Sequence, residues 1–116
     1  MISTPTTYFL PLLKGNLIAL SIDEIKYIRS DGPVIYIVDA QDQQWACGQS
    51  LKFYTDLLAD VSFIQVSQSM LVNLQKVRFI DAVNQELELI CGKRITMSRN
   101  GLKMLKEHIK SKGYKW

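Results

Sequence analysis

Arg99 directly follows Ser98 at the head of a segment with helical spacing, and this pair offers the most specific chemistry in the chain. The first backbone N–H groups of a helix have no intrahelical partners, so they already favour an anion such as a phosphate. A guanidinium there can add a bidentate hydrogen bond to phosphate, or reach O6 and N7 of a guanine. The competing reading is internal, with Glu86 or Glu88 holding Arg99 in an ion pair. Catalytic constellations do not occur. Asp23 and Glu24 are adjacent, so in a strand they point to opposite faces and cannot readily share a proton. Asp31 lies in a turn, where Asp is ordinarily a conformational residue. His108 sits among charged neighbours one residue from an apolar stripe, which marks a surface or boundary position. With no Gly-rich phosphate loop, nucleophile elbow or zinc signature, nothing points to an enzyme or calls for a cofactor.

Charge is distributed unevenly. From Lys93 onward there are eight basic residues and one acid, a net +7, whereas the first 92 residues carry six basic and ten acidic residues, a net −4. Such asymmetry is the electrostatic footprint expected for a polyanion, although a solvated Lys-rich tail has the same composition. Cys47 and Cys91 are far apart and form no Cys-x-x-Cys or Cys/His cluster, so both read as reduced core residues of a cytoplasmic protein. Structural zinc needs about four ligands, and His108 is the one further soft candidate, so no metal is expected. The longest apolar runs, such as Val34–Val38, fall far short of the roughly 20 residues that span a bilayer. Residues 1–7 contain neither a basic residue nor an apolar signal core, which argues against secretion.

These residues must be positioned by a mostly-β framework. At 116 residues the chain suits one domain, here residues 8–116 behind a flexible tail at 1–7. About nine short strands alternate with turn signals. Tyr8–Leu13 and Leu17–Leu20 flank Lys14-Gly15-Asn16, and Ile25–Ser30 and Val34–Asp39 flank Asp31-Gly32-Pro33. Gln43–Gly48, Phe63–Val66, Val77–Val83, Glu86–Cys91 and Arg94–Met97 complete the set. Two segments switch to helical spacing: Ser50–Leu58, with Ser50 placed to cap, and Arg99–Ser111, with Ser98 as N-cap and Gly113 as stop. A single helical turn is also read over Ser69–Leu74. Phe63, Val66, Leu71, Val72, Leu87, Leu89 and Ile95 read as core, and Trp45 as packing. Short antiparallel sheets stacked in an elongated sandwich, with two or three short helices and the last at the C-terminus, are the expected architecture.

The stretch Phe63-Ile-Gln-Val-Ser-Gln-Ser-Met-Leu-Val-Asn-Leu74, followed by Ile95-Thr-Met-Ser-Arg99, resembles the signature of the LytTR family, the mostly-β DNA-binding domain of many bacterial response regulators. Phe63, Ser69, Val72, Asn73, Ser98 and Arg99 match, and Ile22-Asp-Glu-Ile-Lys-Tyr-Ile28 is similar to an early strand of the family. The resemblance covers nearly the whole chain from about Tyr8. It implies that the loops Ser67-Gln68-Ser69 and Ser98-Arg99-Asn100 enter the major groove of double-stranded DNA. Gln68 and Asn100 then suit adenine, through paired hydrogen bonds to N6 and N7. The turn at Ser30–Pro33 lies where relatives carry a further DNA-facing loop, and Asp31 there would repel phosphate. Asn73 is read as satisfying backbone groups in a turn, not as a DNA contact.

The sequence departs from the family where basic loop residues are usual, carrying Gln65, Ser67 and Gln68 instead. Lys93 and Lys103, from the basic C-terminal quarter, are the candidates to supply the missing charge. What the resemblance implies is sequence-specific DNA binding in bacterial transcription control, with homodimers on tandem sites and a sensor or receiver-type partner protein as further expectations. The alternative is that the neutral loop marks a scaffold that has lost DNA reading and recruits an extended peptide on a sheet edge.

Overall fold

The computed structural model describes residues 6–116. Most of the tail expected at 1–7 therefore lies outside the described residues, and Thr7 already pairs with Ser21. Ten strands and two α-helices follow in the order β1 (Thr7–Pro11), β2 (Leu17–Ser21), β3 (Ile25–Asp31), β4 (Val34–Asp39), β5 (Gln44–Cys47), α1 (Leu51–Leu57), β6 (Phe63–Ser67), β7 (Met70–Asn73), β8 (Val77–Asp81), β9 (Glu86–Leu89), β10 (Arg94–Thr96) and α2 (Arg99–Ser111). They build three antiparallel sheets: the hairpin β1-β2, a central sheet ordered β5-β4-β3-β7-β6, and a small sheet ordered β10-β9-β8. The mostly-β architecture with a C-terminal helix is thus the one expected.

The central sheet is covered on both faces, which shapes the sequence of its strands. One face carries Ile28, Ile35, Ile37 and Leu71 and packs against the β1-β2 hairpin and Leu51, Tyr54 and Leu58 of the α1 segment. The other carries Tyr27, Val38, Val66 and Val72 and packs against Leu87, Leu89 and Ile95 of the small sheet and Leu105 of α2. A strand buried on both sides loses the apolar–polar alternation of a half-buried one. That explains the one element read wrongly: Ser69–Leu74 is not a helical turn but mostly strand β7, with Met70-Leu71-Val72 set between β3 and β6. A single 3-10 turn occurs just beyond it, at Leu74–Lys76.

The cysteines divide. Cys47 is buried in the first core, but Cys91 is exposed, because β9 ends at Leu89 and the chain turns through Gly92 with φ +95°. The apolar run Leu89-Ile90-Cys91 therefore outlasts its strand. Trp45 is partly buried, and its indole N–H donates to Asp39 Oδ2 at 2.9 Å, while Asp39 Oδ1 accepts from the backbone of Gln41 and Gln43. That buried carboxylate fixes the β4–β5 turn. Both helices start as read: Ser50 Oγ accepts from Phe53 N at 3.1 Å, and Ser98 Oγ from Gly101 N at 2.9 Å.

Candidate nucleic-acid interface

β6 and β7 are joined by a two-residue turn, Gln68-Ser69, with Ser67 paired to Met70. Ser67 Oγ accepts from Ser69 N at 3.3 Å, and the Gln65 amide donates to the Ser67 carbonyl at 3.0 Å. Both side chains thus stiffen the turn, which leaves Gln68 exposed at its tip. The β6–β7 register slips between Gln65 and Ser67, leaving Val66 as the extra residue. A bulge frees its residue's backbone from the ladder, and the Val66 carbonyl instead accepts from Ser98 N at 2.9 Å and Ser98 Oγ at 3.4 Å. Ser98 therefore has two duties: it caps α2 and bolts that helix terminus to the bulge.

The result is one open groove of about 630 Å³ between the two loops. Gln65, Ser67, Gln68 and Ser69 line one wall; Ser98, Asn100, Gly101 and Met104 line the other. The expected loop residues Ser67, Gln68, Ser69 and Asn100 are brought together, and no charged side chain lines the groove. Along a helix, residues four apart share a stripe. Asn100 and Met104 form the groove-facing one, so Arg99, Lys103, Lys106 and Lys110 run beside it as a basic ridge, with Arg99, Lys103 and Lys110 exposed. Lys93 is elsewhere. It lies at the opposite end of β10 from Ser98, on the order of 15 Å away at a strand's rise per residue, with its ammonium 5.6 Å from the Tyr27 ring.

Arg99 takes part in no ion pair among the described residues. The two acids that could have held it are engaged by other arginines. Arg94 reaches Glu86 at 3.0 Å and Glu88 at 3.3 Å, and Arg78 pairs with Glu88 from the other side. Arg78's hydrogen bond, with Arg94's behind it, holds the Glu88 carboxyl below the usual carboxylate range. Arg94 is therefore spent on structure, and the basic C-terminal quarter presents one cation fewer than its composition suggests.

The β3–β4 turn abuts the same site, since Ser30 N donates to the Ser69 carbonyl at 2.9 Å. Asp31 is exposed but lies 3.6 Å from the Arg29 guanidinium, which is stacked 4.5 Å over Tyr36 and offsets its charge. Asn73 is fully buried, and its amide donates to the carbonyls of Ile22 and Ile25, both at 2.9 Å. Two contributors to the groove were not foreseen. Met104 stands four residues after Asn100, a spacing that helical periodicity alone could have flagged. Gly101 sits in the first turn of a helix, where its propensity cost of about 1 kcal/mol relative to Ala signals a close approach. Among the described residues no three His, Cys, Asp or Glu gather into a metal site, and no helix is long and apolar enough to cross a membrane.

The fold is shared with a solved structure described as the LytTr DNA-binding domain of a methyl-accepting/DNA response regulator from Bacillus cereus. The likeness has a TM-score of 0.71 and 18% sequence identity, and covers 90% of this chain and 96% of that one. No curated protein matches the chain in sequence. The profile of the LytTr DNA-binding domain matches residues 15–110, a span that contains all three sheets except β1 and nearly all of α2. The chain belongs to the LytTR DNA-binding domain family.

Proposed function

We propose that this domain binds double-stranded DNA sequence-specifically in bacterial transcription regulation, reading base edges in the major groove with the Gln68-Ser69 turn and the first turn of α2. The observation that carries this reading is the common groove. Two loops distant in sequence are held side by side by the Ser98–Val66 hydrogen bond, with amides and hydroxyls directed into the space between them. Gln68 and Asn100 present the donor–acceptor pair that complements adenine N6 and N7. Ser67 and Ser69 shape the turn, and Ser69 is available to a phosphate or base. Arg99, without an ion-pair partner among the described residues, reads a guanine or clamps a phosphate, and Lys103 follows the DNA backbone along the basic ridge. Lys93, at the far end of β10, would meet a flanking phosphate.

The neutral loop at Gln65, Ser67 and Gln68 changes how the domain binds without arguing for lost DNA reading. Amides discriminate bases without charge, and each phosphate contact given up lowers the salt slope of binding by about 0.9. Selection of bound duplexes from a random pool, followed by salt titration on the winning site, tests the proposal. A defined consensus, bound far more tightly than mixed-sequence duplex, is expected. Enrichment of no sequence, with no binding at low ionic strength, would overturn it. Repeated half-sites in the selected pool would extend the reading to two copies on tandem sites.

A further inference from the structure

We infer that the free edge of β8, together with the C-terminal half of α2, is a docking site for an extended, acidic and apolar segment of a partner polypeptide. This site stands apart from the DNA-reading groove and does not depend on it. β8 is the outer strand of its sheet, and β9 is its one strand partner among the described residues. Its other edge faces a second groove, of about 760 Å³, closed on the far side by His108, Ile109 and Lys112.

Three observations specify the occupant. First, the four consecutive residues Val77, Arg78, Phe79 and Ile80 all line this groove. Successive side chains of a strand point to opposite faces, so a groove touching every one runs along the strand's edge. An edge with unpaired N–H and C=O groups accepts another extended chain. The bulge between Val77 and Phe79 limits regular pairing to Phe79–Asp81, which fits a short segment. Second, the lining is largely apolar, and two of its aromatic side chains are exposed: Phe79, 50% exposed with the Arg94 guanidinium 5.8 Å from its ring centre, and Tyr114, 70% exposed. Third, the basic lining residues are Arg78, His108 and Lys112, and no carboxylate lines the groove. Arg78 is already paired with Glu88, so Lys112 supplies most of the unanswered charge. Apolar side chains alternating with acids answer all three features.

The two grooves share α2. Asn100 and Gly101 line the first, and His108 and Ile109 the second, about 12 Å apart along the axis at a helix's rise per residue. A partner seated on β8 leaves the DNA loops uncovered, so both can be occupied together.

The test is an NMR titration of the whole chain with an octapeptide alternating Val with Glu, and with a control alternating Val with Lys. The acidic peptide is expected to shift the amide signals of Phe79–Asp81 and of residues 108–112, while those of Gln68, Ser69 and Asn100 stay in place. Lys112→Glu, at an exposed position, and Phe79→Ala should each weaken that response about tenfold. The inference is overturned if millimolar acidic peptide shifts nothing, or if the basic peptide acts equally. It is overturned too if the same signals move with protein concentration alone, which assigns the edge to a second copy, or if they respond to mixed-sequence duplex instead of peptide.

Discussion

Gly101 of α2 lies against the backbone of Val66 in β6: a Cβ on the glycine would stand 1.8 Å from the Val66 carbonyl oxygen and 2.4 Å from its carbonyl carbon. The same carbonyl accepts the Ser98 N–H, so the spacing between the two groove-lining loops is set by backbone touching backbone. Gly101→Ala brings two opposed effects. Alanine favours the helix by about 1 kcal/mol, whereas overpacking against atoms that cannot rotate away costs about 1–3 kcal/mol. The clash should win, with a net loss of up to about 2 kcal/mol in urea unfolding, and preference for the selected site should fall more than affinity for mixed duplex. An unfolding midpoint equal to or above that of the parent chain would show that the helix can yield at no cost.

Arg99 is solvent-exposed and has no acidic partner among the described residues, so removing it should leave stability nearly unchanged. If it reads a guanine, Arg99→Ala costs about 1–3 kcal/mol of binding and relaxes preference at one base position. If it holds only phosphate, affinity drops equally for all duplexes and the salt slope falls by about one. Repeating the duplex selection with the variant separates the two. An unaltered consensus at unaltered affinity would remove Arg99 from the interface.

Gln68 sits at the exposed tip of the β6–β7 turn and makes no side-chain hydrogen bond among the described residues. Gln68→Ala should therefore lose adenine discrimination at one position while the salt slope stays put. Gln68→Arg should do the opposite to the slope, steepening it by about 0.9 for one added phosphate contact. Identical slopes in all three proteins, with identical selected sequences, would mean that the turn does not face DNA.

Much of this was legible in the sequence because turns and caps are local. Gly15, Gly32 and Gly92 mark turns with positive φ, and Ser50 and Ser98 cap helices at the residues where apolar spacing changes. What escaped was non-local. β7 lacks alternation because both its faces are buried, and nothing within Met70–Asn73 says that two other layers will cover it. The pairing of Arg94's charge with Asp81, Glu86 and Glu88 depends on β8, β9 and β10 lying side by side, so composition alone counted it as free. Lys93 and Arg99 are six residues apart in sequence, yet the intervening strand β10 puts them at opposite ends of the small sheet. The resemblance named the two loops; the Val66 bulge and Gly101, which hold them together, are contacts across 35 residues.

The carboxylates around Arg94 give the acid limb of stability a definite sign. Arg78 first, then Arg94, holds Glu88 below the ordinary range, and the backbone and side-chain amides of Asn84, then Arg94, do the same for Asp81. A folded-state pKa below the unfolded one stabilises at pH above the unfolded value, and that stabilisation is lost as pH falls through the folded one. The melting temperature should therefore be level from neutral pH to about 5 and decline below about 4. Because these groups lie at the surface and are only partly buried, added salt should shrink the effect. Arg78→Ala should flatten the acid limb and Arg94→Ala should do so less, and an Arg78 variant that declines as steeply as its parent would assign the limb to other acids.

Asn73 is the buried polar residue on which the loop-bearing sheet most depends. Its side chain is fully enclosed, donates to Ile22 and Ile25 carbonyls, and accepts from Gln75 N at 3.0 Å, tying β7 to the chain entering β3. Asn73→Ala strands two carbonyls and one N–H away from water, and each orphaned group costs about 1–3 kcal/mol. Partial relaxation should bring the loss to about 2–4 kcal/mol in urea unfolding. Asn73→Asp keeps an acceptor for Gln75 but offers the carbonyls a buried negative charge, so it should be at least as harmful at neutral pH and partly recover as the carboxyl protonates. Neither change touches the groove, so whatever fraction remains folded should select the same duplexes as the parent chain. A changed consensus from a folded Asn73 variant would mean that this amide acts on DNA reading and not only on the sheet behind it.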